Sequence, residues 1–162
     1  MQPLTESQLR ESLVNAAPDV GEHMTLPGMH EVLWDQRDFF GWRDSRASHR
    51  AYLYHWRDER PVGLLLRVAE NRMRPGVLAI CSLCGTQQPA GHVALFTAPL
   101  TGEAGRAGST VGTYLCDDFS CSLTIRNSTV SDFQATTPEL VRRRVEALRA
   151  RLDGFVGRVL AG

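Results

Sequence analysis

Apolar and polar positions divide the chain into three textures. Between Leu4 and Ala17, the apolar residues Leu9, Leu13, Val14 and Ala17 follow helical spacing behind two start signals. Thr5 and Gln8 fit a capping box, and Leu4 and Leu9 fit a hydrophobic staple. A first helix is predicted from Thr5 to the neighbourhood of Pro18. Residues 19–34 are mixed and broken by Pro27 and Gly28, which predicts short helical turns and loops. Residues 35–50 combine charge with Phe39, Phe40 and Trp42 around Gly41, the composition of a packed corner with a solvated rim.

From Ala51 the pattern becomes β-prone. Residues 51–56 and 62–68 flank a polar turn and predict a β-hairpin. Residues 93–97 and 110–115 form a second β-prone pair, separated by a Gly-rich segment, 99–109, that reads as a mobile surface loop. The last texture is helical again. Thr137 as N-cap, Pro138 at the first helical position and Glu139 in the first turn open a helix. Its apolar positions are Val141, Val145, Leu148, Leu152, Phe155 and Val159, and Gly154 and Gly157 weaken it. The expected architecture is α+β: a helical N-terminal region (1–50), β-hairpins with a finger (51–136) and a C-terminal amphipathic helix (137–162).

Composition narrows the function classes. Apolar residues make up 43% and charged residues 22%, the balance of a folded domain. The 18 basic residues, all Arg, cancel the 18 acidic ones and are intermixed with them, so no overall field draws in a polyanion. The start has no basic region followed by an apolar stretch, and no apolar run approaches the roughly 20 residues of a membrane span. A cytoplasmic protein without membrane contact is expected. In that compartment thiols stay reduced and paired cysteines read as metal ligands.

All four cysteines fall into two close pairs. Cys81-Ser82-Leu83-Cys84-Gly85 is a knuckle that brings two thiolates to one tetrahedral metal. Cys116 falls at the end of a predicted strand and Cys121 a turn into a following helix. Knuckle, hairpin, strand and helix in that order describe a treble-clef finger. The expected ligands are Cys81, Cys84, Cys116 and Cys121, around one structural Zn2+. Four thiolates leave no position for an activated water. An iron–sulfur cluster would use the same ligands. A redox Cys-x-x-Cys would need a helix opening at the motif, where residues 86–91 read as loop. His92 is surplus to a four-thiolate site.

No nucleophile elbow, phosphate-binding Walker loop or His-Glu-x-x-His motif occurs, so neither an enzyme nor a small-molecule substrate is expected. Arg142, Arg143, Arg144, Arg149 and Arg151 leave an alternative, RNA or DNA binding through the finger and the last helix. With Glu139 and Glu146 in pairing range, the same arginines read as a solvated face.

Five segments together resemble the FBP-domain family: 12–16 in the first helix, Asp38-Phe39-Phe40-Gly41-Trp42-Arg43-Asp44, Cys81-Ser82-Leu83-Cys84, 93–98, and Gly112-Thr113-Tyr114-Leu115-Cys116 through Cys121-Ser122-Leu123. That family includes the FusB-type fusidic acid resistance proteins, which bind elongation factor G. The resemblance implies a helical N-terminal part and a four-cysteine treble clef that docks on elongation factor G and promotes its release from the ribosome. The implied partner is elongation factor G or another ribosome-bound translation factor, with ribosomal RNA as a further contact. Phe96, Arg106 and Tyr114, on the hairpin and its loop, are the contact candidates under that resemblance.

Overall fold

The structure is a computed structural model that describes residues 1–69, 74, 76–127 and 136–162. The expected boundary at residue 136 adjoins residues 128–135, which lie outside the described set. Seven strands are described: β1 (Phe40–Arg43), β2 (Arg50–Arg57), β3 (Arg60–Val68), β4 (Leu78–Ile80), β5 (Gln87–Pro89), β6 (Val93–Pro99) and β7 (Thr110–Cys116). Five of them form one antiparallel sheet in the order β1-β2-β3-β6-β7, and β4 and β5 form a separate hairpin. The β2–β3 hairpin appears where the two β-prone runs placed it. Its turn residues Asp58 and Glu59 both have positive φ (48° and 61°), the geometry whose twist matches the flanking strands.

Each face of the sheet buries its own cluster. On one face, Leu53, Leu64, Leu66, Phe96 and Leu115 pack with Leu148, Leu152, Phe155 and Val159 of α5 (Pro138–Leu160) and Ile125 of α4 (Cys121–Asn127). On the other, Phe40, Trp42, Tyr52, Tyr54 and Leu65 pack with Leu4, Leu9 and Met24 from the N-terminal region. Period two explains the division, since alternate residues of β1, β2 and β3 serve opposite cores. The charged corner expected at 35–50 therefore contains an edge strand, β1, in which Phe40 tilts against Trp42 and Trp42 packs on both Tyr52 and Tyr54.

The first helix, α1 (Glu6–Glu11), opens with the expected capping box: Thr5 Oγ1 accepts the Gln8 N–H and the Thr5 N–H donates to Gln8 Oε1. It ends earlier than its apolar spacing predicts. From Ser12 the chain extends along β3, where the Gly63 N–H donates to the Ser12 carbonyl (2.8 Å) and the Val14 N–H to the Gly63 carbonyl (2.9 Å). The reason is a gap in the sheet. β3 and β6 pair only at Arg67–Thr97 and Val68–Phe96, and beyond that point ladder groups need other partners. Asn15 supplies them: its amide donates to the Leu65 and Pro99 carbonyls (3.0 Å each) and its Oδ1 accepts the Leu65 N–H (2.7 Å). Pro18 then opens α2 (Pro18–His23) instead of closing α1, and two 3-10 turns follow at Met29–Glu31 and Trp34–Gln36.

The Gly-rich segment 99–109 is folded, which corrects the expectation of a free loop. It carries α3 (Gly102–Arg106), and the Thr101 N–H donates to the Val159 carbonyl (2.9 Å), using an acceptor left over in the last turn of α5. α5 starts as expected, with Thr137 Oγ1 accepting the Leu140 N–H, and passes through Gly154 and Gly157 unbroken.

Candidate metal centre

The β4–β5 hairpin is the knuckle. Gly85 takes a positive φ (70°), and its N–H donates to the Cys81 carbonyl (2.8 Å), turning Cys81 and Cys84 to one side. The segment after it, expected as loop, instead supplies β5 and a 3-10 turn, Ala90–His92. The Cys81 N–H donates to the Thr86 carbonyl (3.2 Å), so the return strand closes the knuckle. Ser82 ties it to the sheet by donating its N–H to the Tyr114 carbonyl (2.7 Å).

Cys116 is the last residue of β7 and Cys121 the first of α4, as the treble-clef order requires. Between them the chain reverses tightly. The Phe119 N–H donates to the Cys116 carbonyl (3.0 Å), Phe119 adopts φ 57°, and the Ser120 N–H donates to Asp118 Oδ1 (3.0 Å). The buried Phe119 ring pins this reversal, 5.0 Å from the Phe96 ring and against Gly41. A Cβ on Gly41 would lie 2.5 Å from Phe119 Cδ1, so the glycine admits the ring.

The four sulfur atoms lie within 4.8 Å of one another, with Cys81 and Cys121 Sγ 3.5 Å apart and Cys84 and Cys116 Sγ 3.7 Å apart. A tetrahedral zinc with Zn–S bonds of about 2.3 Å has sulfur–sulfur edges of about 3.8 Å. The set therefore fits a structural Zn2+, held by thiolates alone. Cys81, Cys116 and Cys121 are buried and Cys84 is half-buried. The thiols share protons unequally: interactions with Cys116 and then Cys121 draw Cys81 down to about 7 and lower Cys84, while interactions with Cys116 and then Cys81 raise Cys121. Four thiols this close need a cation before all can ionise. Gln88, which sequence reasoning did not single out, donates Nε2–H to Cys116 Sγ (3.1 Å), the kind of outer contact that orients a ligand. His92 is exposed, and its backbone carbonyl accepts the Asp117 N–H (2.9 Å).

The contact candidates separate. Phe96 is wholly buried in the core against Phe119, which rules it out as a surface contact. Tyr114 is 43% exposed and Arg106 is exposed. Beside the cysteines, β4 turns Leu78 and Ile80 outward at 63% and 62% exposure, and only Ala79 inward. The outward pair is legible in the sequence only once the segment before the knuckle is known to be a three-residue strand.

The last helix uses several of its arginines internally. Arg149 reaches Asp38 (3.0 Å), Arg151 donates to the Leu83 carbonyl (3.0 Å) and Arg144 to the Ile125 carbonyl (3.1 Å). Arg142 pairs with Glu139. The Arg151 and Arg144 contacts hold α5 to the finger, the Arg149 contact holds it to Asp38, and together they engage basic groups that a nucleic-acid face would use. Arg126 of α4 also binds Asp38, a centre that the sequence showed only as the first letter of a conspicuous aromatic segment.

The model of the FBP C-terminal treble-clef zinc-finger family matches residues 8–159. A search of curated proteins and a search of solved structures each return no match. Among the described residues no helix is long and apolar enough to cross a membrane.

Proposed function

The chain belongs to the FBP C-terminal treble-clef zinc-finger family, and on that premise we propose that it is a non-enzymatic adaptor that docks on a translation factor, elongation factor G, and promotes its release from the ribosome. One observation carries this reading: Leu78 and Ile80 stand exposed on β4, which leads into the knuckle, and the knuckle is hydrogen-bonded through Ser82 to the strand that presents Tyr114. Aliphatic and aromatic side chains left exposed on linked segments of a solvated surface are the composition of a protein interface. Cys81, Cys84, Cys116 and Cys121 would hold Zn2+, whose role is to fix the hairpin before the partner arrives, which lowers the ordering cost of docking.

The four-thiolate set supports a structural metal and no catalytic water. The cytoplasm follows as the place where both the thiolates and a translation factor are found. Titration calorimetry of the zinc-loaded protein with elongation factor G tests the proposal. Binding weakened by Ile80→Asp or Tyr114→Ala, with unchanged thermal stability, supports it. Absence of binding by the intact protein sinks it.

A further inference from the structure

Strand register places two arginines directly opposite one another on an open part of the sheet. Arg50 pairs with Arg67 across β2 and β3, two residues on from the Tyr52–Leu65 pair, and so on the same face. Like charges directly opposite are unfavourable in a sheet. The same hairpin carries a second such pair, Arg57 with Arg60, but that one flanks Asp58 and Glu59 at the turn. Arg50 and Arg67 are both exposed and form no ion pair among the described residues. Arg50 instead lies by the hydroxyl of Tyr52. The N-terminal region covers this face at Tyr52 and Leu65, and Asp44 accepts from the Tyr52 hydroxyl (3.3 Å), while the two arginines stay exposed.

The open face continues into the proposed docking surface. Arg67 sits opposite Thr97, which sits opposite Gly112, and the neighbouring pair is Leu95 with Tyr114. With strands about 4.8 Å apart and a rise of about 3.3 Å per residue, Arg67 and Tyr114 are separated by roughly 12 Å, the reach of four extended residues. We propose that this face receives an extended acidic segment of a partner protein, its carboxylates on Arg50 and Arg67 and an apolar side chain on Leu95 and Tyr114. Guanidinium groups accept carboxylates in bidentate fashion, and an anion there removes the repulsion between the pair. A protein segment fits better than nucleic acid because exposed Tyr114 stands opposite half-buried Leu95 on this face, and the chain as a whole carries no net charge.

The inference rests on the docking reading and deepens it by naming the partner's chemistry, so its test needs separate arms. Elongation factor G, a synthetic ten-residue glutamate- and leucine-containing peptide and a single-stranded RNA oligonucleotide are each titrated against three proteins. These are the wild type, Arg50→Gln/Arg67→Gln, and Arg57→Gln/Arg60→Gln as a control on the other face. At least about a tenfold loss of affinity for the factor in the first variant, with a flatter salt dependence and an unaffected control, is expected for two lost charge-assisted contacts. Factor binding that is equal in wild type and Arg50→Gln/Arg67→Gln overturns the inference and leaves the docking reading standing. If the factor fails to bind the wild type, the docking reading falls and the peptide decides: binding that needs Arg50 and Arg67 supports the acidic-segment site, and no binding overturns it. RNA binding that needs the pair, without peptide binding, also overturns it.

Discussion

Asp38 and Arg126 form an ion pair across 88 residues of chain, Oδ2 to Nη1 at 2.6 Å, with the aspartate side chain wholly buried. Arg149 of α5 reaches the other carboxylate oxygen at 3.0 Å, and Ser122 Oγ accepts the Asp38 N–H at 2.9 Å. One carboxylate beside β1 therefore joins the helix that begins at Cys121 to the helix that ends the chain.

Removing this carboxylate leaves Arg126 and Arg149 without their shared counter-charge. Breaking a buried pair costs about 3–5 kcal/mol, and the partial exposure of Arg126 and Arg149 lowers the expectation to roughly 2–3 kcal/mol for Asp38→Ala. Urea unfolding of the variant measures it. A loss below about 0.5 kcal/mol, the range of ordinary surface substitutions, would show that the pair is not a structural tie.

The cysteine cluster makes a metal prediction. The purified protein is expected to carry one Zn2+ per chain, and Cys116→Ala to lose both the metal and the folded C-terminal region, because metal affinity in such a site is folding free energy. Metal analysis beside circular dichroism checks this. A metal-free chain with an unchanged spectrum would contradict it.

Gly41→Ala places a methyl group 2.5 Å from Phe119 Cδ1 and 3.1 Å from the Tyr52 carbonyl oxygen. Overpacking of this kind costs about 1–3 kcal/mol. Because Phe119 lies in the reversal between Cys116 and Cys121, the variant is also expected to release zinc to a chelator faster than wild type. Adding Phe119→Leu should recover part of the stability, and an additive double variant would refute the contact.

His55 carries a pH dependence. It is 3% exposed, its Nε2 has no hydrogen-bond partner among the described residues, and desolvation lowers its pKa below the ordinary imidazole value although Asp153, 3.7 Å from Nδ1, opposes the shift. The unfolded chain therefore binds this proton at higher pH than the folded one. Stability is full above the unfolded value near 6.5 and is lost as pH falls through it towards the folded value. Compared with His55→Phe, the wild type should weaken progressively between pH 7.5 and 5. Parallel stability curves for the two proteins over that range would rule out the buried imidazole as the cause.

The metal-ligating pattern was legible in the sequence because cysteine spacing acts locally. Cys81 to Cys84 spans one turn, Cys116 and Cys121 bracket one strand end and one helix start, and a metal accepts few other residue types. The N-cap of α5 was legible for the same reason, since Thr137 and Pro138 act on their immediate neighbours. Longer-range choices were not. Leu13 and Val14 keep helical spacing, yet Ser12 to Asn15 leaves the helix because β3 and β6 diverge and offer unpaired backbone groups that only a distant segment can satisfy.

Burial was likewise a tertiary decision. Phe96 and Tyr114 have the same β-prone setting in the sequence, but register turns one into the core against Phe119 and the other to solvent. Arg144, Arg149 and Arg151 resemble a basic face as letters, and take up contacts within the molecule when α5 docks. The sequence by itself determined the two cysteine pairs and the strand-to-helix step that carries the second, because those depend on neighbours in the chain. The tertiary structure decided which surface beside the cysteines stays open, because exposure depends on which distant segments arrive to cover it.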